Sequence, residues 1–126
     1  MNEKHTICWV DIPVENLERA IAFYSAVLNQ EVQKISEYNL EFGLLPHVND
    51  NISGCLAIME DRKPSKNGAL IYLNVEGFLN EAVATALKSG GTLLKPVESI
   101  GNYGFRAVIT DSEGNAIALY SKNMNL

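Results

Sequence analysis

Apolar residues recur along this chain with two periods, and the two periods alternate in the same order twice. His5 to Ile12 is rich in β-branched and aromatic residues and stops at Pro13, which predicts a strand. The period then changes to three and four, with Leu17, Ala20, Ile21, Tyr24, Val27 and Leu28 on one helical face and Glu18, Arg19 and Ser25 on the other. Asn16 is placed to cap this helix, and Asn29 to close it in the left-handed conformation. Short strands are predicted at Glu31–Ile35, Asn39–Leu44 and Gly54–Met59, followed by a charged linker over Glu60–Gly68. The order then restarts: a strand at Ala69–Val75, then a helix at Phe78–Ser89. Phe78, Ala82, Val83, Ala86 and Leu87 form one face of that helix, and Gly90-Gly91 ends it. Strands at Thr92–Val97, Gly104–Thr110 and Ala116–Ser121 complete the chain, the last two joined by Asp111–Asn115, which has hairpin-turn chemistry.

The predicted order is βαβββ, linker, βαβββ. A gap-free shift of 61 places lays Val14 on Val75, Leu17 on Phe78, Ile21 on Ala82 and Asn29-Gln30 on Gly90-Gly91. The same shift lays Val32 on Leu93 and Phe42-Gly43-Leu44 on Tyr103-Gly104-Phe105. Helix, turn and aromatic-Gly-apolar tripeptide matching together point to a duplication. The expectation is one α+β domain over residues 1–126, made of repeats at about 5–60 and 68–121.

Charge changes the picture by exclusion. A net charge of −5 and a pI near 4.9, with the basic residues scattered, argue against nucleic acid as a partner. Arg62, Lys63 and Lys66 are a thin cluster that reads as a solvated loop. No apolar run approaches the roughly 20 residues that span a bilayer, and Met1–His5 lacks the form of a signal peptide. Cys8 and Cys55 stand in apolar runs without a Cys-x-x-Cys partner, which predicts two buried free thiols in a cytoplasmic protein.

The run Ile7-Cys8-Trp9-Val10-Asp11-Ile12-Pro13-Val14, followed by Leu17–Tyr24, resembles the opening of the glyoxalase/bleomycin-resistance group, the vicinal-oxygen-chelate superfamily. Asp111-Ser112-Glu113-Gly114-Asn115-Ala116-Ile117-Ala118-Leu119 resembles the close of the same group. The resemblance implies paired βαβββ modules whose curled mixed sheets surround a cavity, often in homodimers. It also implies four metal ligands, His, Gln or Glu, on the first and last strands of each module. Here those positions fall on Trp9, Leu70, Ala118 and, in the first module, Ala57 or Ile58. None offers an oxygen or imidazole nitrogen, so no metal and no cofactor is expected at the usual place. His5 is expected as a terminal residue on the sheet rim, and His47, in the turn-like stretch Leu45–Asp50, as solvent-exposed. Glu60 and Glu98 are expected as solvated carboxylates near strand ends.

Strand alternation turns Cys8, Val10, Ile12, Ile71, Leu73, Val75, Ile117 and Leu119 toward the helices. It turns Trp9, Asp11, Leu70, Tyr72, Asn74, Ala118 and Tyr120 the other way, with Met59 and Tyr103 as neighbours. Trp9, Met59, Leu70, Tyr72, Asn74, Tyr103, Ala118 and Tyr120 are therefore the candidate ligand-binding set, an aromatic hollow with a few polar handles. The same aromatics could instead fill a second core or a dimer interface. Ile100–Gly104 is a Gly-flanked loop beside them, and it lacks the Lys and Ser/Thr of a phosphate loop.

The function expected is binding of a small hydrophobic or aromatic molecule by a metal-independent, glyoxalase-like homodimer that contacts neither nucleic acid nor membrane. The alternative is a lyase, isomerase or dioxygenase-like enzyme of the lactoylglutathione lyase type using an unorthodox site, with Asp11, Glu98, Tyr72 or Tyr120 moving the proton. A third is a fold kept as an interaction module. Catalytic residues are not identifiable from the sequence.

Overall fold

The computed structural model describes residues 5–49 and 51–124; Met1–Lys4 and Asp50, named above, lie outside them. The elements run β1 (Trp9–Pro13), α1 (Leu17–Leu28), β2 (Gln33–Glu37), β3 (Leu40–Leu44), β4 (Ser53–Ala57), β5 (Ile71–Asn74), α2 (Leu79–Lys88), β6 (Thr92–Ser99), β7 (Phe105–Thr110) and β8 (Ala116–Ser121). A short 3-10 turn, Gly101–Tyr103, links β6 and β7. The βαβββ order occurs twice, as the period changes predict. The strands form two four-stranded mixed sheets, ordered β1-β4-β3-β2 and β5-β8-β7-β6. In each, the first strand pairs in parallel with the last and the other pairs are antiparallel.

The two sheets are not closed into one: among the described residues β1 and β5 are edge strands of separate sheets. The inner faces of the sheets instead hold the helices. Ile12 and Leu56 from one sheet, Phe23, Tyr24 and Val27 from α1, Ala82 and Ala86 from α2, and Ile109, Ile117 and Leu119 from the other sheet belong to one buried cluster.

Local chemistry explains the helix limits. The Asn16 side chain accepts from the Arg19 N–H, and Asn29 closes α1 at φ 54°, as expected. The buried face differs in one place. Phe23, outside the predicted stripe, is buried, while Ile21 is only partly covered. Helix α1 is enclosed on two sides, with Ile21 against Gly43 of β3 and the Phe23 ring close to Gly91 at the end of α2. In α2 the buried stripe is Leu79, Ala82 and Ala86, so Leu87 faces outward against expectation. Strand β6 extends to Ser99 with register breaks on either side of Lys95, the second spanning Pro96, which an edge strand tolerates because its outward N–H groups need no partner. Cys8 is exposed rather than buried, since it precedes the first paired residue of β1; Cys55 is buried, and both thiols are free.

The Asp111–Asn115 turn locks the two modules together. Asp111 is 2% exposed. Its carboxylate accepts from the Tyr24 hydroxyl at 2.6 Å, from the Glu113 and Asn115 N–H groups at 2.8 and 2.9 Å, and from Asn115 Nδ2 at 2.9 Å. Asn115 Nδ2 also donates to the Pro13 carbonyl, and its Oδ1 accepts from the Ser65 N–H in the linker. Glu113 meets the start of α1, accepting from the Glu15 and Asn16 N–H groups at 2.8 Å each and pairing with Arg19 at 2.6 Å. A carboxylate there also complements the positive end of the helix.

Candidate functional site

Register decides what stands at the family's metal positions. Asp11 pairs with Cys55 and Tyr72 pairs with Ala118, and Asp11 and Tyr72 are related by the 61-residue shift. The first-module counterpart of Ala118 is therefore Cys55, not Ala57 or Ile58 as the sequence suggests. Pairing between β1 and β4 sets the equivalence, whereas counting along the chain passes through loops of unequal length. The set becomes Trp9, Cys55, Leu70 and Ala118. The Cys55 thiol donates to Asp11 Oδ1 at 3.2 Å. Burial, joined by that hydrogen bond and the Asp11 charge, pushes the thiol up to about 12, so it stays protonated at neutral pH and is a poor ligand or nucleophile. Three side chains without a metal-ligating atom and one protonated thiol do not fit a divalent ion. Among the described residues no group of three or more His, Cys, Asp and Glu side chains could hold one.

The outer faces of the sheets, turned away from the helices, carry the candidate residues in two clusters. On the first sheet Trp9, 42% exposed, donates its indole N–H to Asp11 Oδ1 at 3.0 Å, the oxygen Cys55 also reaches. On the second, the Tyr72 and Tyr120 rings meet edge to face at 6.3 Å, and the Tyr120 hydroxyl donates to the Tyr103 carbonyl. Arg106 of β7 donates from Nη1 to the Tyr72 hydroxyl at 2.5 Å, and its guanidinium lies 5.9 Å from the Tyr72 ring centre. Because β8 lies between β5 and β7, this contact crosses over β8 between Ala118 and Tyr120. The small, fully buried Ala118 leaves room for that crossing.

A groove of about 380 Å³ opens where edge strands β1 and β5 approach each other. Val10, Ile12, Ile71 and Leu73 line it, Leu28 and Gln30 stand at the end of α1, and Leu45–Val48, with Asn51, Ile52 and the start of β4 at Ser53 and Gly54, form a further wall. Polar atoms are available from Gln30, His47, Asn51, Ser53, Tyr72 and Asn74. The volume lies in the usual range for small-molecule sites, roughly 300–1,000 Å³.

Of the eight candidate residues, Tyr72 and Asn74 line the groove, and Tyr72, Tyr103 and Tyr120 adjoin one another through the contacts above. Trp9 turns to Asp11, Met59 and Leu70 are half-buried beyond the ends of β4 and β5, and Ala118 is covered. His47 is exposed, as expected, whereas His5 is half-buried with no partner for its Nδ1 among the described residues. Arg106 is not among the eight candidates, although its signal in the sequence is plain: one cation in Phe-Arg-Ala-Val-Ile-Thr, on the side opposite Ala107 and Ile109. The groove wall formed by Leu45–Val48 and Asn51–Gly54 carries no such signal, since only the meeting of distant edges makes it a wall.

A family model described as the Glyoxalase/Bleomycin resistance protein/Dioxygenase superfamily matches residues 6–119. A search among curated proteins finds no match. Among solved structures, the chain is similar to a glyoxalase/bleomycin resistance protein from Albidiferax ferrireducens, with TM-score 0.74 and 16% identity over 94% of this chain and 100% of that one. A glyoxalase/bleomycin resistance protein/dioxygenase family enzyme from Burkholderia phytofirmans gives 0.70 and 20%, covering 91% and 97%. The antibiotic binding protein TnmS3 from a Streptomyces species gives 0.68 and 16%, covering 98% and 100%. At these identities the likeness concerns the fold.

Proposed function

The chain belongs to the glyoxalase/bleomycin resistance protein/dioxygenase superfamily, and from that premise we propose that it binds a small hydrophobic or aromatic molecule without the family's usual metal ligands. The observation carrying this is the groove between β1 and β5, with apolar walls and a few hydrogen-bonding groups. Such a lining favours a flat apolar ligand, because burial drives affinity and the polar groups orient it. That a protein of similar fold is an antibiotic binding protein is in keeping with this reading.

A neutral fluorescent probe, N-phenylnaphthylamine, tests it. Wild-type protein should bind the probe saturably, and Ile52→Glu, a charge on an exposed residue of the groove wall, should weaken binding about tenfold or more. No saturable binding, or equal binding by the variant, would refute the proposal.

Within the same reading the protein is a cytoplasmic homodimer. Its two cysteines are unpaired, and no helix among the described residues is long and apolar enough to cross a membrane. Ile7, Trp9, Ile58, Tyr72, Leu93 and Leu94 are all exposed, apolar side chains that a second copy would cover. Sedimentation equilibrium should return twice the chain mass of 13.9 kDa, and a single-chain mass at micromolar concentration would rule the dimer out.

A further inference from the structure

Arg106 is an under-satisfied cation. A guanidinium carries five N–H donors, and among the described residues only one makes a hydrogen bond, from Nη1 to Tyr72. Nε is buried with no partner among those residues, and Nη2 lies 3.7 Å from Glu98 Oε1, too far for a hydrogen bond. The Arg106 side chain is 22% exposed while that of Glu98 is 46% exposed, so water screens this contact on the Glu98 side. Tyr72 has a complementary deficit: its oxygen accepts from Arg106, and its hydroxyl proton has no acceptor among the described residues. Tyr72 also lines the groove. An arginine N–H pair and a tyrosine O–H, held together across β8, form the donor set that a planar anion satisfies with charge-assisted hydrogen bonds. Elsewhere the protein is acidic, with a net charge of −5, so a general attraction for anions does not account for such a site.

We propose that Arg106 and Tyr72 anchor the carboxylate or phenolate of an aromatic acid whose apolar body lies in the groove between β1 and β5. This rests on the binding role proposed above and narrows it to acidic ligands. Glu98 is the competing anion: a ligand carboxylate takes over the face of the guanidinium that Glu98 approaches.

A matched pair of probes, 2-naphthoate and 2-naphthamide, separates the two ideas by calorimetry. Wild-type protein should bind the acid about tenfold or more tightly than the amide. Arg106→Gln should bring the acid to within about threefold of the amide, the acid losing far more affinity than the amide. Glu98→Gln, on an exposed side chain, should widen the preference about threefold by removing the competitor. Equal affinity of acid and amide for wild type would overturn the anion anchor while leaving the groove as a binding site. So would a preference that stays above about threefold in Arg106→Gln or is unmoved in Glu98→Gln. Failure of both probes to bind at millimolar concentration would overturn the anchor and the binding role together.

Discussion

Asp111→Ala should cost about 3–5 kcal/mol of folding stability, read as a shift in the urea midpoint. The carboxylate is buried and takes four hydrogen bonds, one from Tyr24 of the other module. Without it, Tyr24 keeps a buried hydroxyl with no acceptor, and the turn loses the oxygens around which Glu113 and Asn115 are arranged. Burial first, and then the Asp111 charge, holds the Tyr24 phenol well above its ordinary range, so the phenol is protonated and serves as the donor at neutral pH. Tyr24→Phe removes one bond and should cost less, about 1–2 kcal/mol. A loss below about 1 kcal/mol for Asp111→Ala would show that the turn does not hold the modules together.

The same turn sets an acid limb. Burial alone would raise the Glu113 carboxyl, but hydrogen bonds from Arg19, the Asn16 N–H, Ser112 and the Glu15 N–H outweigh it and lower the group from 4.5 to about 2. A group with a depressed folded value stabilises the fold above its unfolded value, and that contribution fades as pH falls from 4.5 toward 2. Wild type should lose about 1 kcal/mol between about pH 5 and pH 3 that Glu113→Gln does not lose, less than the full shift implies because water reaches the Arg19 side of the pair. Parallel pH profiles for the two proteins would assign the acid limb elsewhere.

Gly54→Ala is the second large effect expected, about 3 kcal/mol or more. Gly54 pairs with Val10 across the parallel β1–β4 ladder, and a Cβ on it would sit 2.2 Å from the Val10 carbonyl oxygen and 3.1 Å from the Val10 carbonyl carbon. Backbone, unlike the end of a flexible side chain, cannot swing aside, so β1 would have to leave β4. Gly54 and Val10 both line the groove, so the variant should lose the naphthylamine probe in step with stability. Wild-type stability in Gly54→Ala would mean that β1 and β4 can separate there without loss.

Much of the frame was legible because it is local. Asn16 and Asn29 bound α1 through their own side chain and backbone, and β8 begins and ends at its predicted residues because turn chemistry and β-branching lie within a few positions of each other. Misjudgements came where a partner was distant. Phe23 is buried because α2 and Gly91 come to meet it, and Cys55 rather than Ala57 matches Ala118 because strand pairing sets the equivalence. The Asp111–Asn115 turn was recognisable as a turn; that its carboxylate reaches Tyr24, 87 residues earlier in the chain, was not.

The amino-acid sequence by itself determined the doubled βαβββ order and the absence of metal-ligating atoms at Trp9, Leu70 and Ala118. Both follow from residue type and short-range period, which act before the chain closes on itself. Tertiary structure alone decided that the sheets stay separate around the helices, that the opening lies between two edge strands, and that Arg106 meets Tyr72 over Ala118. Those depend on which edges and faces come together, and that outcome is set by burial summed over the whole chain rather than by any segment's own pattern.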